Sequence, residues 1–115
     1  MDYLELVNLL RELYDNNMSV NFNSLLNTIQ LVDEIYRIES FTSYDTTCLT
    51  LYNEKRRVIC NLWILFTDDN TVYMYNLYSL KSESDEHNIN RELEDDMKVK
   101  PICKKVNYSW SRGDE

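Results

Sequence analysis

The sequence predicts an α+β fold: two N-terminal amphipathic helices followed by a three- to four-stranded antiparallel sheet, with a charged helix before the last edge strand. Three observations predict it. Apolar residues recur at helical spacing as far as about residue 38, the period falls to two from about residue 46, and charge dominates from residue 81. A chain of 115 residues with no linker composition or repeat fits a single compact domain over residues 1–115, with residues 111–115 expected to fray.

Leu6, Leu9, Leu10 and Leu13 follow the i, i+3, i+4, i+7 spacing, which predicts a helix over residues 2–14. Asp2 is suited to cap its start, and Asn16-Asn17 can take the left-handed conformation that ends it. A second stripe of Leu25, Ile29, Val32 and Tyr36, with Asn23 as N-cap, predicts a helix over residues 24–38; Asn21 and Phe22 just ahead are candidates for extended chain. Period-two patterning then predicts strands at residues 47–52, 57–67 and 71–80, joined by the polar turns Asn53-Glu54-Lys55 and Asp68-Asp69-Asn70. The middle strand is apolar on both faces, so it is expected to be central, with helices on one side and a further cover on the other.

Beyond residue 81, Ile89, Leu93 and Met97 are the apolar positions that can hold a helix over residues 81–96. Residues 98–110 alternate and contain Pro101, which suits an edge strand.

The parts that chemistry usually requires are scarce. The chain has one His (His87), one Gly, one Pro and no Ala, and it lacks a Gly-rich phosphate loop, GxSxG or HExxH. Three cysteines (Cys48, Cys60, Cys103) without CxxC spacing read as reduced, partly buried thiols rather than a disulfide framework or zinc site. His87 sits in a charged run far in sequence from any Cys, and the acid pairs Asp68-Asp69 and Asp95-Asp96 suit turns and solvated faces better than a metal or acid–base site. No catalytic, cofactor or metal residue is assigned, and the chain is expected not to be an enzyme. The acidic start and the lack of a long apolar run predict a soluble, intracellular protein with no membrane partner.

Charge is the stronger signal. Twenty acids against twelve bases give a net charge of −8, and residues 1–40 hold seven acids and two bases, a net of −5. Basic residues cluster at Lys55-Arg56-Arg57 and at Lys98, Lys100, Lys104 and Lys105, and together with Tyr73, Tyr75 and Tyr78 they suggest a small site for phosphates and bases; the overall negative charge argues against direct nucleic-acid binding. An acidic surface steers toward basic partners and can imitate a phosphate track. Asp2, Glu5, Glu12, Asp15, Asp33, Glu34, Tyr73, Tyr75 and Tyr78 are therefore the candidate partner-binding residues. Frequent Asn, Tyr and Ile suggest an AT-rich genome, as in viruses and mobile elements.

The stretches Val20-Asn21-Phe22-Asn23-Ser24-Leu25-Leu26, Thr42-Ser43-Tyr44-Asp45 and Trp63-Ile64-Leu65-Phe66-Thr67-Asp68 give a layout that resembles the phage and staphylococcal uracil-DNA glycosylase inhibitors, short acidic α+β proteins that imitate DNA. The resemblance spans about residues 4–80 and implies that Asn23-Ser24-Leu25 corresponds to an extended inhibitory Glu-Ser-Ile segment. Asn23 replaces the acid, and the chain beyond Leu80 has no counterpart in that layout.

The expected function is that of a small acidic viral or mobile-element protein that binds and inhibits a host macromolecule, namely a host protein with a basic or nucleic-acid-binding surface. Two other functions fit the same residues. One is a structural or assembly subunit, or a homodimer, that uses an aromatic sheet face; the other is an immunity protein for a toxin nuclease.

Overall fold

The computed structural model describes residues 1–82, 85–89 and 100–113. Two helices, α1 (Tyr3–Asp15) and α2 (Phe22–Gln30), accompany seven strands: β1 (Ser19–Asn21), β2 (Arg37–Ser43), β3 (Thr46–Tyr52), β4 (Val58–Phe66), β5 (Thr71–Ser82), β6 (Asp85–Ile89) and β7 (Ser109–Ser111). All strand pairs are antiparallel, in the order β1-β5-β4-β3-β2-β7, and the sheet curves into a half-barrel. The protein is mostly sheet, which corrects the expectation of three or four strands with a charged helix.

Strand β5 is the longest because it serves two partners on one edge. Ser19–Asn21 pairs with Thr71–Tyr73 at its start, while Asp85–Ile89 pairs with residues 77–82 further along; β4 occupies the other edge. The sequence-predicted helix over residues 81–96 is overturned where it is described, since residues 81–82 end β5 and 85–89 form β6. The rest of that expected helix lies outside the described residues.

Helix α1 begins with a capping box: Glu5 N donates to Asp2 Oδ1 at 2.8 Å, and Asp2 N donates to Glu5 Oε1 at 3.2 Å. Its buried face is Tyr3, Leu6, Val7 and Leu10, with Leu13 and Tyr14 half-buried, so Leu9 flanks the stripe instead of centring it. Helix α2 starts earlier and stops sooner than predicted. Asn21, not Asn23, is its N-cap, accepting from Ser24 N at 3.0 Å, and the helix ends at Gln30. Val32 and Ile35 stay fully buried in the turn that follows, and Ile38 is fully buried on β2, so the apolar stripe is satisfied without a helix beyond residue 30. Pairing of all seven β2 residues with β3 supplies the backbone hydrogen bonds instead.

One face of the sheet is dry. Ile38, Leu49, Leu51, Cys60, Leu62, Ile64, Phe66, Val72, Met74 and Leu77 point inward against the buried faces of α1 and α2. Strand β4 is central, as its two-sided apolarity predicts.

Residues 100–113 close the β2 side of this core, and of the edge strand expected over residues 98–110 it is Ser109 and Trp110 that pair with β2, as part of β7. The contact of Phe66 with Ile102 is an isolated bridge, and residues 98–99 lie outside the described set. Val106, Tyr108 and Trp110 pack on the core. Ser40 N donates to Tyr108 O at 3.0 Å, Tyr108 N donates to Ser40 Oγ at 2.7 Å, and Val106 N donates to Thr42 Oγ at 3.1 Å. Residues 114–115 of the tail expected to fray lie outside the described residues; before them, Ser111 is in β7 and Arg112 holds the segment down. Its Nε donates to Ile35 O at 2.9 Å, its Nη2 to Gln30 O at 2.8 Å and Val32 O at 2.9 Å, and its guanidinium stacks on Tyr36 and Trp110.

With a single glycine in the chain, turns that need positive φ fall to other residues. Asn17 (φ 51°), Tyr44 (φ 56°) and Arg56 (φ 63°) take it, and for Tyr44 and Arg56 this costs about 1–2 kcal/mol each.

Arg112→Ala is expected to lower the unfolding free energy by about 2–4 kcal/mol in urea titration, because three carbonyls lose a charged donor; Arg112→Lys, which cannot fork, recovers only part of it.

Candidate functional site

The fold separates the predicted partner-binding residues into three places. Asp2 and Glu5 are engaged in the α1 cap, and Glu34 comes beside them, its Oε2 accepting from Tyr3 N at 3.2 Å. Asp33 lines the same region. Glu12 and Asp15 lie at the other end of this 13-residue helix, roughly 15 Å along its axis, where Arg11 pairs with Asp15 at 3.7 Å. The acids therefore form two patches, not one continuous track.

Tyr73, Tyr75 and Tyr78 lie on the opposite side of the molecule. Val72, Met74, Leu77 and Ser79 of β5 are buried toward the helices, which turns Tyr73, Tyr75 and Tyr78 outward. A β-bulge makes this possible: Trp63 pairs with Asn76 and Ile64 with Met74, so Tyr75 is the extra residue and the alternation resets. Across the outward face, Phe41, Cys48, Trp63 and Asn76 form one row, and Ser43, Thr46, Leu65 and Tyr73 form the next. Leu65 (2% exposed) and Cys48 (5%) are sheltered among these larger side chains, whereas Phe41 is 62% exposed and Tyr44, at the adjoining turn, 90%. Strand register thus brings Phe41 onto the same face as Trp63 and Tyr73, with Tyr44 at the adjoining turn. Register across the strands decides this, and a linear reading of Tyr spacing does not carry it.

The basic residues do not make one spot. Lys55, Arg56 and Arg57 occupy the β3–β4 hairpin, whereas Lys104 reaches Asp69 O and stacks on the Phe66 ring at 4.9 Å, at the far end of β4. Nine residues of strand, roughly 26 Å, lie between them.

Two grooves flank that hairpin and share Tyr36, Asn53 and Glu54 as a wall. The first, about 590 Å³, is lined by Tyr3, Asp33, Glu34, Lys55 and Arg57 among others, with charges of both signs. The second, about 680 Å³, brings Arg37, Arg56 and Arg112 together with Tyr36 and Tyr52. Asn53 shapes both, because its Oδ1 accepts from Lys55 N at 2.9 Å and Arg57 N at 3.0 Å. Tyr52 Oη donates to Glu39 Oε1 at 3.0 Å; partial burial, and then the Glu39 carboxylate, raise its pKa.

Nucleophiles are poorly placed. Burial pushes the Cys60 thiol up to about 12 and also raises Cys48, and both are held on a rigid sheet. Cys103 is exposed outside any strand, its Sγ 3.1 Å from Tyr44 O. His87 lies on β6 opposite Ser79. Asp68 caps its turn, accepting from Asn70 N at 2.8 Å and Thr71 N at 2.7 Å, and these donors hold its carboxyl below the usual range. Among the described residues no three His, Cys, Asp or Glu side chains gather as a metal site, and no helix is long and apolar enough to cross a membrane. Asn23-Ser24-Leu25 lies in the first turn of α2.

Comparison of the chain with protein-family models, curated proteins and solved structures returns no match. The reading of function therefore rests on this geometry alone.

Thiol titration is expected to show Cys103 reacting at once and Cys48 and Cys60 only on unfolding. Because the folded Cys60 pKa is raised, its stabilising contribution is complete below the ordinary thiol value of 9.0 and is lost as pH rises toward about 12. Thermal melts at increasing alkaline pH, compared with Cys60→Ala, check that direction.

Proposed function

We propose that this protein is a binding protein that acts inside a host cell as an inhibitor of viral or mobile-element origin, covering a functional surface of a host protein. The observation that carries the reading is the contiguous outward sheet face of Phe41, Trp63, Leu65, Tyr73 and Tyr75, adjoined by the 90% exposed Tyr44. Aromatic side chains on a rigid sheet contribute large contact area at little entropic cost, and they are the residues that dominate protein interfaces. The net charge of −8 favours a basic partner and speeds encounter, whereas the sheet face supplies the adhesion. Two separate acidic patches suit that steering role better than they suit imitation of a nucleic-acid backbone. Thiols held protonated by burial support a role without covalent chemistry.

A second reading follows from the same face: a second copy of this chain can cover it, giving a homodimer or an assembly subunit. Sedimentation separates the two, since self-association removed by a sheet-face substitution favours the dimer.

Capture from host lysate, followed by affinity measurement with the identified protein, is expected to show at least about a tenfold loss for Phe41→Ser combined with Tyr73→Ser. Reversal of Glu12 and Asp33 to Lys is expected to slow association and reduce its salt dependence, with dissociation nearly unchanged. Affinity that ignores the sheet-face pair but collapses on charge reversal would overturn the assignment of the face and favour charge mimicry.

A further inference from the structure

The Arg112 guanidinium is half-buried, yet each of its three hydrogen-bond acceptors is a neutral carbonyl, and among the described residues no carboxylate pairs with it. Cations taken out of water are normally matched by an anion. Arg112 lines the second groove, where Arg37 and Arg56 also arrive. In a chain with eight more acids than bases, this convergence of three arginines is out of proportion to the composition.

The surroundings fix the kind of anion. The Arg112 guanidinium lies over Tyr36 at 5.9 Å and Trp110 at 5.1 Å, and Arg37 lies over Tyr52 at 5.6 Å, so these two forks are pre-oriented by aromatic rings and cost little to order. Arg37 is partly neutralised by Glu39, and Glu54 also lines the groove. Arg56 stands on the hairpin tip with φ 63°, a backbone conformation that places an arginine where Asn or Gly would be less strained.

We propose that this groove binds a small nucleotide, with its phosphate monoester on the Arg56 and Arg112 guanidiniums and its planar base against the Tyr36–Tyr52 wall. Guanidinium forks match phosphate oxygens in pairs, and with Glu39 set against Arg37 and Glu54 also on the lining, the three arginines still leave the groove net positive, which favours an anion. A volume of about 680 Å³ lies within the range of small-molecule sites. This site is separate from the aromatic sheet face, and either can fail without the other.

The test is a titration of the ¹⁵N-labelled full chain with adenosine monophosphate, and in parallel with adenosine, following the arginine Nε–H and Trp110 indole N–H resonances. Saturable shifts at Arg56, Arg112 and Trp110 are expected for the monophosphate, with adenosine at least about tenfold weaker. Arg56→Asn, which suits the positive φ and so preserves the hairpin, is expected to weaken the monophosphate by about tenfold. Shifts that stay linear up to about 10 mM, equal binding of adenosine and its monophosphate, or an unchanged affinity in Arg56→Asn would each overturn the proposal.

Discussion

A seven-stranded sheet must keep one face dry, and among the described residues the only helices that can do so have 13 and nine residues. The shortfall shapes the rest of the molecule. Helix α1 lies across β5 and α2 packs beside β1, while Val106, Tyr108 and Trp110 pack on the core from the β2 side. Arg112 then fastens that cover to the turn after α2 by donating to the carbonyls of Gln30, Val32 and Ile35. Burial of apolar side chains drives this arrangement, and hydrogen bonds select which segment completes it.

The same division of labour organises the surface. Acids gather around the two ends of α1, rings gather on the sheet face turned away from it, and three arginines meet where β2, the β3–β4 hairpin and the tail come together. The acids and the outward rings of the sheet face are thus segregated, so encounter and adhesion can be set by different residues. The bulge at Tyr75 contributes directly, because it lets Tyr73 and Tyr78 share a face although Tyr78 is five positions after Tyr73, an odd offset that would put them on opposite faces of a regular strand.

Much of this was legible in the sequence where one local signal was strong. Helical spacing around Leu6 and Leu10, the Asp2 cap and the period-two runs through Leu49, Leu62 and Val72 located α1 and β3–β5 to within a residue or two. Residues 31–43 misled because Val32, Ile35 and Ile38 satisfy a helical stripe and a turn-plus-strand equally well; pairing with β3, a long-range interaction, decided between them. Residues 85–89 misled for the opposite reason. Charged residues carry no period, and a strand on the edge of β5 needs none. The arginine groove was illegible because Arg37, Arg56 and Arg112 are spread over most of the chain and meet only through strand register.

The pairing of Arg37–Glu39 with Ser109–Ser111 joins segments some seventy residues apart. Until residues 109–111 have left the ribosome, the β2 edge and the inner side chains beneath it stay open, however early α1 and α2 form. Completion of this fold therefore requires its last described strand, whose pairing closes a long loop.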